Sequence, residues 1–518
     1  MKANIQVRGA WASLYGVPEK HLEKCLTVLH PKRFYNAAYR EKRWDGKVRL
    51  YDGRNFPAGL VPRVMDHFEE EGIRVAVLGF DNKDPIDTRR LTRDYMPIPG
   101  PGGKMFDEMW EHQYEACLSL LRNKRGVIKS PTASGKTSMV AIAARYLWEE
   151  RGWTSLVIVP KKGLLHQTAN YFERCFGGDL EVGICGDSLR TYGTVTVGTA
   201  QTLIGFKPRR VRRKDKKTGR VRYQAIPADQ KLRRLIKEAD VLFLDECHHS
   251  SSESWSEIAM YCGAHHRYGL SGTPLKHSEI ADLKMIGATG PIIFDVGVDR
   301  LIGEGLAAQP KIAMVMSDNA SEPELPYEWE TREDRQGNPV KRRRDLPYQE
   351  AYTRGVVESD RHNAAVARAV AWMVEQKRQT LLLCRRKAHF KKLADLLDDS
   401  GLEFRAVWGA TITPERETAK DLLNSGKINV LLATVIFDEG EDVERVEALV
   451  LAEGVKAPTN VIQRIGRGMR KKYHQESNDV WVVDFCPTCH EKLMEHARDR
   501  VVAYEREGYE VVVVDAWP

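Results

Sequence analysis

Gly126-Val-Ile-Lys-Ser-Pro-Thr-Ala-Ser-Gly-Lys-Thr137 runs a short apolar strand into a loop of small residues closing on Gly135, Lys136 and Thr137, where a helical pattern begins. This is the layout of a phosphate-binding loop. Backbone N–H groups of Thr132, Ala133, Ser134 and Gly135 can cradle a triphosphate, Lys136 can neutralise the β and γ phosphates, and the Thr137 hydroxyl can hold Mg2+ at a helix N-terminus. Ser130 stands where the usual pattern begins with Gly, while Gly135 keeps the place of closest backbone approach. A nucleoside triphosphate with Mg2+ is the ligand this loop predicts.

A second stretch, Val241-Leu-Phe-Leu-Asp-Glu-Cys-His248, sets two acids just beyond the end of a buried apolar strand. In a doubly wound sheet, that is the edge at which a phosphate loop also opens. Asp245 can then ligate the Mg2+ held by Thr137, and Glu246 can orient and deprotonate an attacking water.

At 518 residues the chain is too long for one core, and about three domains are expected. Hydrophobic residues at 42% and charged ones at 29% exclude a low-complexity chain, and no apolar run approaches the ~18 residues that span a bilayer. With no signal-like N-terminus, a cytoplasmic protein is expected, in the host cytoplasm if phage-encoded. Nine cysteines without framework spacing suit free thiols in a reducing compartment. Cys486-Pro-Thr-Cys489-His490 has the spacing of a c-type haem attachment site, but with no export signal and no second Cys pair it reads as coincidence at a strand-to-helix turn.

The charge is uneven. Net charge is +8, yet residues 207–223 alone hold ten Lys/Arg against one Asp, including Arg210 and Arg213. Charges so dense cannot be buried, and phosphates would neutralise them, so this block is expected to contact nucleic acid. Lys216-Lys-Thr-Gly219 between alternating Arg and Val suits a hairpin tip.

Pro97-Ile-Pro-Gly-Pro-Gly-Gly103 reads as a linker closing a small α+β domain, residues 1–96. Apolar runs at Ser155–Val159, Val195–Gly198, Val241–Leu244 and Tyr268–Leu270 alternate with helical patterns, predicting a parallel-sheet domain over 104–308. A second such domain, 309–485, is expected from Thr380–Cys384, Phe404–Trp408, Val430–Ala433, Ala448–Leu451 and Val480–Val483. It carries a charged surface excursion at 318–348. Residues 486–518 add a helix from Glu491 to Tyr504 and a strand from Glu510 to Asp515, packed on that domain. The fold class expected is α/β, two doubly wound parallel sheets behind a small N-terminal α+β domain.

Together, Ser130–Thr137 and Asp245-Glu246-Cys247-His248 resemble motifs I and II of the superfamily 2 helicases. Other motifs follow in order: Gln113 resembles the adenine-recognising glutamine, Pro160–Thr168 motif Ia, Val197–Thr202 the next nucleic-acid motif, and Ser271-Gly-Thr-Pro274 motif III. Ala433–Asp442 resembles motif V and Gln463–Arg470 motif VI. The resemblance implies that both sheets are RecA-like and that the nucleotide is ATP, with nucleotide contacts at Gly440, Asp442 and Gln463, and coupling roles for His248, Ser271 and Thr273. It makes Arg467 and Arg470 arginine fingers from the second domain, a device worth ~10³–10⁵ in rate. It also implies phosphate-backbone contacts at Pro160, Thr199, Gln201, Arg386 and Thr434.

Residues 32–54 interleave eight basic residues with Phe34, Tyr35, Tyr39, Trp44 and Tyr51, a composition suited to a nucleic-acid face through Arg43, Trp44 and Lys47. Trp44-Asp-Gly-Lys-Val-Arg-Leu-Tyr51, followed by Ala58-Gly-Leu-Val-Pro, resembles the N-terminal domain of the UvsW-type phage helicases. That implies a duplex- or junction-binding module and a monomeric motor acting on forks, Holliday junctions, D-loops or R-loops. The rival readings are an RNA helicase or RNA–DNA hybrid unwinder, the motor subunit of a restriction or repair complex, and a nucleotide-switched non-catalytic clamp.

Overall fold

Runs rich in Val, Ile and Leu pair most stably where helices cover both faces of a parallel sheet, and the larger part of this chain takes that solution twice. The computed structural model describes residues 2–79, 85–100, 104–132, 134–214, 221–275, 278–317, 327–333, 339–409, 411, 413–434, 445–454, 461, 464–466, 478–515 and 517. Contacts divide the chain into two compact units, Met1–Pro131 with Gly135–Val296, and Thr132–Ser134 with Gly297–Pro518.

The first unit begins with a four-stranded sheet, β1 (Lys2–Arg8), β2 (Trp11–Tyr15), β3 (Asn55–Pro57) and β4 (Arg74–Leu78), in the order β3-β2-β1-β4. Alternation in β1 and β2 puts Ala3, Ile5, Ala12 and Leu14 on the buried face against Leu22, Leu26, Val64 and Phe68 of the covering helices. The larger sheet consists of β5 (Arg125–Lys129), β6 (Ser155–Val159), β7 (Val182–Gly186), β8 (Leu189–Arg190), β9 (Val195–Thr199), β12 (Val241–Asp245), β13 (His266–Ser271) and β14 (Ile292–Asp295). Its order is β8-β7-β9-β6-β12-β13-β5-β14, parallel except for the β7–β8 edge pair. Between β9 and β12 the chain leaves the sheet as an antiparallel hairpin, β10 (Arg209–Lys214) and β11 (Val221–Ile226), whose tip, 215–220, lies outside the described residues.

The small sheet is not a separate bead. Its core takes in Leu283 and packs Ile280 and Ile286 from the helix Glu279–Thr289 of the larger fold. Arg125 Nη2 donates to the Gly9 carbonyl at 3.0 Å. Pro97–Gly103, expected as a linker, contributes Ile98–Pro99, which pairs with Met105–Phe106. Burying an apolar face too small to fold well alone supplies the physical reason for the merger.

In the second unit, β15 (Gln309–Met316), β18 (Thr380–Cys384), β19 (Phe404–Val407), β20 (Val430–Thr434), β21 (Ala448–Leu451), β22 (Asp479–Cys486) and β23 (Glu510–Val514) form a parallel sheet ordered β19-β20-β18-β21-β22-β15-β23. The C-terminal strand is part of that sheet, alongside β15. Within the charged excursion, β16 (Tyr327–Glu333) and β17 (Pro339–Asp345) form a hairpin whose register sets Glu328 opposite Arg344 and Glu330 opposite Arg342. His490 caps the helix Glu491–Arg506, its Nδ1 accepting from Lys492 N–H at 3.2 Å, and Cys486 and Cys489 are buried. Among the described residues, no cluster of three His, Cys, Asp or Glu groups could hold a metal, and no helix is long and apolar enough to cross a membrane.

At Gly59 the two parts of the first unit are in close contact, since a Cβ there would overlap the Ile286 carbonyl oxygen. Overpacking of this kind costs about 1–3 kcal/mol. Gly59→Ala is expected to lower the thermal unfolding midpoint of the full chain. Gly303→Ala, at a helical position with open space around it, should leave the midpoint unchanged or raise it.

Candidate active site

In the larger sheet of the first unit, β12, β13 and β5 lie side by side and parallel, so their carboxyl ends open at one edge. Each carries one motif there. After β5 comes the phosphate loop, β12 ends on Asp245 before Glu246, and β13 ends on Ser271 before Gly272 and Thr273. Ser130 N–H donates to the Ser271 carbonyl at 2.9 Å, tying the loop's first residue to its neighbour strand.

Gly135 sits at φ +78°, a left-handed conformation that favours glycine, and a Cβ there would collide with the Gln113 side-chain amide. Gln113 is itself fixed: its Oε1 accepts from Trp110 N–H at 3.0 Å, and the side chain is buried. The sequence-predicted adenine contact and the loop's tightest turn are therefore in contact. Lys136 and Thr137 begin the helix Lys136–Arg151. The Lys136 ammonium donates to the carbonyls of Ser130 at 3.2 Å and Pro131 at 3.4 Å, and lies 3.7 Å from Glu246 Oε1.

Glu246 adopts φ +49°, ψ +54°, uncommon for a residue with a side chain. The turn aims its carboxylate back into the site. Ser271 Oγ donates to Glu246 Oε2 at 3.2 Å, His248 Nδ1 lies 3.0 Å from Ser271 Oγ and 3.4 Å from the same carboxylate, and Thr273 N–H donates to Ser271 Oγ at 3.2 Å. One hydroxyl thus joins the acid, the histidine and the third motif. Gly272 tolerates more than Gly135, because an added Cβ would rest in ordinary contact with Pro131 Cα, at 3.4 Å.

The two acids are held differently. Burial and the neighbouring Glu246 charge push the Asp245 carboxyl up, to about 6, with Lys136 pulling the other way. Burial also works against the Glu246 charge, but Lys136, His248, His249 and the Ser271 hydrogen bond outweigh it and hold that carboxyl low. Such a site has an ionised base beside an acid whose charge lacks full compensation, and a divalent cation with anionic phosphates fits that need.

Residues expected on a nucleic-acid track are more scattered. Thr199 is buried and precedes the short helix Ala200–Leu203, where Gln201 is exposed; Pro160 follows β6. Arg43, exposed, donates from Nε to Glu41 at 2.8 Å, Trp44 Nε1 donates to the Lys47 carbonyl at 2.9 Å, and Lys47 lies 3.6 Å from Glu23. Arg210 is exposed on β10, the same hairpin strand as Arg213. In the second unit Thr434 ends β20, largely buried. Ala133, Gly440, Asp442, Gln463, Arg467 and Arg470 lie outside the described residues.

Arg386 has a setting that the sequence did not disclose. Its guanidinium donates to Thr353 Oγ1 and Gln349 Oε1, each at 2.6 Å, and lies 4.5 Å over the Tyr352 ring. Glu453, 1% exposed, accepts from Arg386 N–H at 2.9 Å and Tyr352 Oη at 2.5 Å, with His389 Nδ1 at 3.1 Å. Burial opposes that charge, but the His389, Arg386 and Tyr352 hydrogen bonds outweigh it and bring the carboxyl to about 2. Glu453 follows a buried apolar strand as Asp245 and Glu246 do, the one signal that could have found it.

Residues 107–276 match the family described as Type III restriction enzyme, res subunit, and residues 362–472 the helicase conserved C-terminal domain. The chain is 24% identical over 504 residues to the ATP-dependent DNA helicase uvsW of Enterobacteria phage T4, covering 92% of both proteins. The chain is a superfamily 2 helicase. This helicase resembles UvsW, and it hydrolyses ATP and takes a nucleic-acid substrate. It is also 25% identical over 410 residues to the DNA 3'-5' translocase XPB2 of Sulfurisphaera tokodaii, spanning 75% of this chain and 84% of that one. Its fold is shared with the ATP-dependent Type ISP restriction-modification enzyme LlaBIII bound to DNA, at TM-score 0.54 and 12% identity, over 87% of this chain and 34% of that one. The two RecA-like sheets expected from the sequence are thereby borne out.

A carboxyl raised in the folded state contributes stability below its unfolded value near 3.8, and that contribution is lost as pH rises through about 6. Asp245→Asn, which never ionises, is therefore expected to be more stable than the parent at pH 7.5, by roughly 3 kcal/mol, and to unfold at a higher temperature. The gap should close at pH 4. Thermal denaturation of both proteins across that range reads the crossover.

Proposed function

We propose that the protein is an ATP- and Mg2+-dependent motor that remodels branched DNA, converting forks, Holliday junctions or displacement loops by translocation or branch migration. The observation that carries this reading is the likeness to the phage T4 DNA helicase across nearly the whole of both chains, which takes in the N-terminal sheet as well as the motor. Motor motifs alone grip phosphate backbone and leave the choice of structure to what precedes them.

In this reading Lys136 neutralises the β and γ phosphates, and Glu246 orients water and accepts its proton as the bond to the γ-phosphorus forms and the bond to the leaving ADP oxygen breaks. Thr137 and Asp245 are the groups that would hold Mg2+, which binds through one or two side chains plus substrate phosphates and would supply charge neutralisation at the transferred group. Arg467 and Arg470 stabilise charge on that group. Ser271 relays the state of Glu246 to Thr273 and His248, the coupling residues. Gln113 reads the adenine, and Gly440, Asp442 and Gln463 complete the nucleotide contacts. Pro160, Thr199, Gln201, Arg386 and Thr434 line the strand, while Arg43, Trp44, Lys47, Arg210 and Arg213 hold duplex or junction arms.

A second reading, translocation on duplex DNA, is favoured by the match of residues 107–276 to the restriction-enzyme family. The test that separates the two is ATP hydrolysis and strand exchange on a four-way junction, beside linear duplex, single-stranded DNA and RNA, with Lys136→Ala as control. Junction-stimulated turnover with ATP-dependent product, lost in the control, is the expected result. Stimulation by linear duplex with junctions left intact would favour translocation alone, and stimulation by RNA alone would overturn both.

A further inference from the structure

Between the short helix Ala37–Arg40 and the strand Lys47–Arg49 the N-terminal domain opens a pocket of ≈ 520 Å³. Its lining includes Phe34, Tyr39 and Trp44 together with Arg40, Lys42 and Arg43. The rings stand edge to face, Phe34 to Tyr39 with centroids 5.5 Å apart and Tyr39 to Trp44 at 6.3 Å. Arg33 covers one face of Phe34, its guanidinium 4.4 Å from the ring centroid, and the edge-to-face arrangement leaves the opposite face open to a further planar group. Phe34 is 58% exposed and the adjacent Tyr35 86%. Side chains so open gain little for the fold, so core packing does not account for them.

The charges around these rings are largely uncommitted. The Arg40 and Lys42 side chains are exposed and form no hydrogen bond or ion pair among the described residues. Asp45, on the pocket wall, is already engaged by the Arg49 side chain at 2.5 Å and by Lys47 N–H at 3.0 Å. Lys42 holds φ +57° where the helix Ala37–Arg40 ends. Glycine is the usual residue at such a helix end, and a lysine there puts a cation on the pocket rim at a cost in backbone strain. Free aromatic faces, unpaired cations and a volume in the range of small-molecule sites belong together in one kind of ligand, a planar base on a phosphate backbone.

We propose that this pocket takes one or two unpaired nucleobases, stacked on Phe34 and Tyr39 with the exposed Tyr35 ring beside the mouth, and with Arg40 and Lys42 on the flanking phosphates. The inference rests on the branched-DNA reading and narrows it: the pocket takes the single-stranded margin of a junction, where bases are free to stack, beside the arms that the neighbouring basic groups hold. Bases within a duplex are stacked on one another and present only their edges to a protein.

Equilibrium binding by the full chain tests this with two probes, a blunt DNA duplex and the same duplex with a single-stranded tail carrying 2-aminopurine. For the double variant Phe34→Ala, Tyr35→Ala, both at exposed positions, the affinity for tailed duplex is expected to fall by at least about fivefold. The change in 2-aminopurine fluorescence on binding should be lost, and the blunt-duplex affinity should hold. Lys42→Gly, which relieves the left-handed backbone, is expected to melt no lower than the parent and still lose affinity for the tailed probe. Equal losses on both probes, or no loss on either, would overturn the pocket as a base site. A parent protein that binds neither probe would overturn the DNA reading itself and this inference with it.

Discussion

Parallel pairing of three neighbouring strands is the constraint on which the site depends. Because β5, β12 and β13 run the same way and lie adjacent, their three carboxyl ends share one edge, and residues more than a hundred positions apart in the chain meet there. The backbone hydrogen bond from Ser130 to Ser271 registers the phosphate loop against the third motif. Reversing or displacing any of these strands would separate Lys136 from Glu246 and Glu246 from Ser271. The apolar character of β12, with Leu242, Phe243 and Leu244 fully buried, keeps it in the middle of the sheet, and the acids that follow are delivered to the edge.

Within that frame the chemistry is set by unequal treatment of adjacent carboxyls. Glu246 has a lysine, a serine hydroxyl and two histidines around it, whereas Asp245 lies in a buried position beside a like charge. The left-handed turn at Glu246 sustains the difference, because it points the second acid away from the first and towards Lys136 and Ser271. Local backbone strain is retained here for the sake of direction. The second unit contains a related solution at the end of β21, where Glu453 is fully buried but surrounded by donors from Tyr352, His389 and Arg386. There, every partner comes from the same unit, and the outcome is a rigid seat for Arg386.

Much of the fold was legible because its strands are short apolar runs between turn signals. The runs at Ser155–Val159, Thr380–Cys384 and Ala448–Leu451 are strands with those bounds. Gln309–Met316 was not among the runs singled out. Pro310 and Lys311 interrupt its start, yet it pairs on both sides, with β22 and with the C-terminal strand. That C-terminal strand looked like an appendage because its partner lies some two hundred residues earlier. Merging of the N-terminal sheet with the first motor fold was equally hidden, since Leu283 and Ile286 read as ordinary positions of an amphipathic helix until Gly59 is set beside them. The site was legible as far as residue type and order carry it: Lys136, Asp245, Glu246, His248 and Ser271 come together. What spacing cannot encode is the backbone conformation at Glu246 or the Gln113 amide against Gly135.

The measurement that tests this account most directly compares nucleotide binding with turnover in Glu246→Gln. Glutamine keeps the size and the hydrogen bond from Ser271 but cannot accept a proton. ATP affinity is predicted to be retained, with hydrolysis reduced by about 10²–10⁴-fold. A variant that hydrolyses ATP at the parent rate would contradict Glu246 as the base and would move the chemistry elsewhere on the sheet edge.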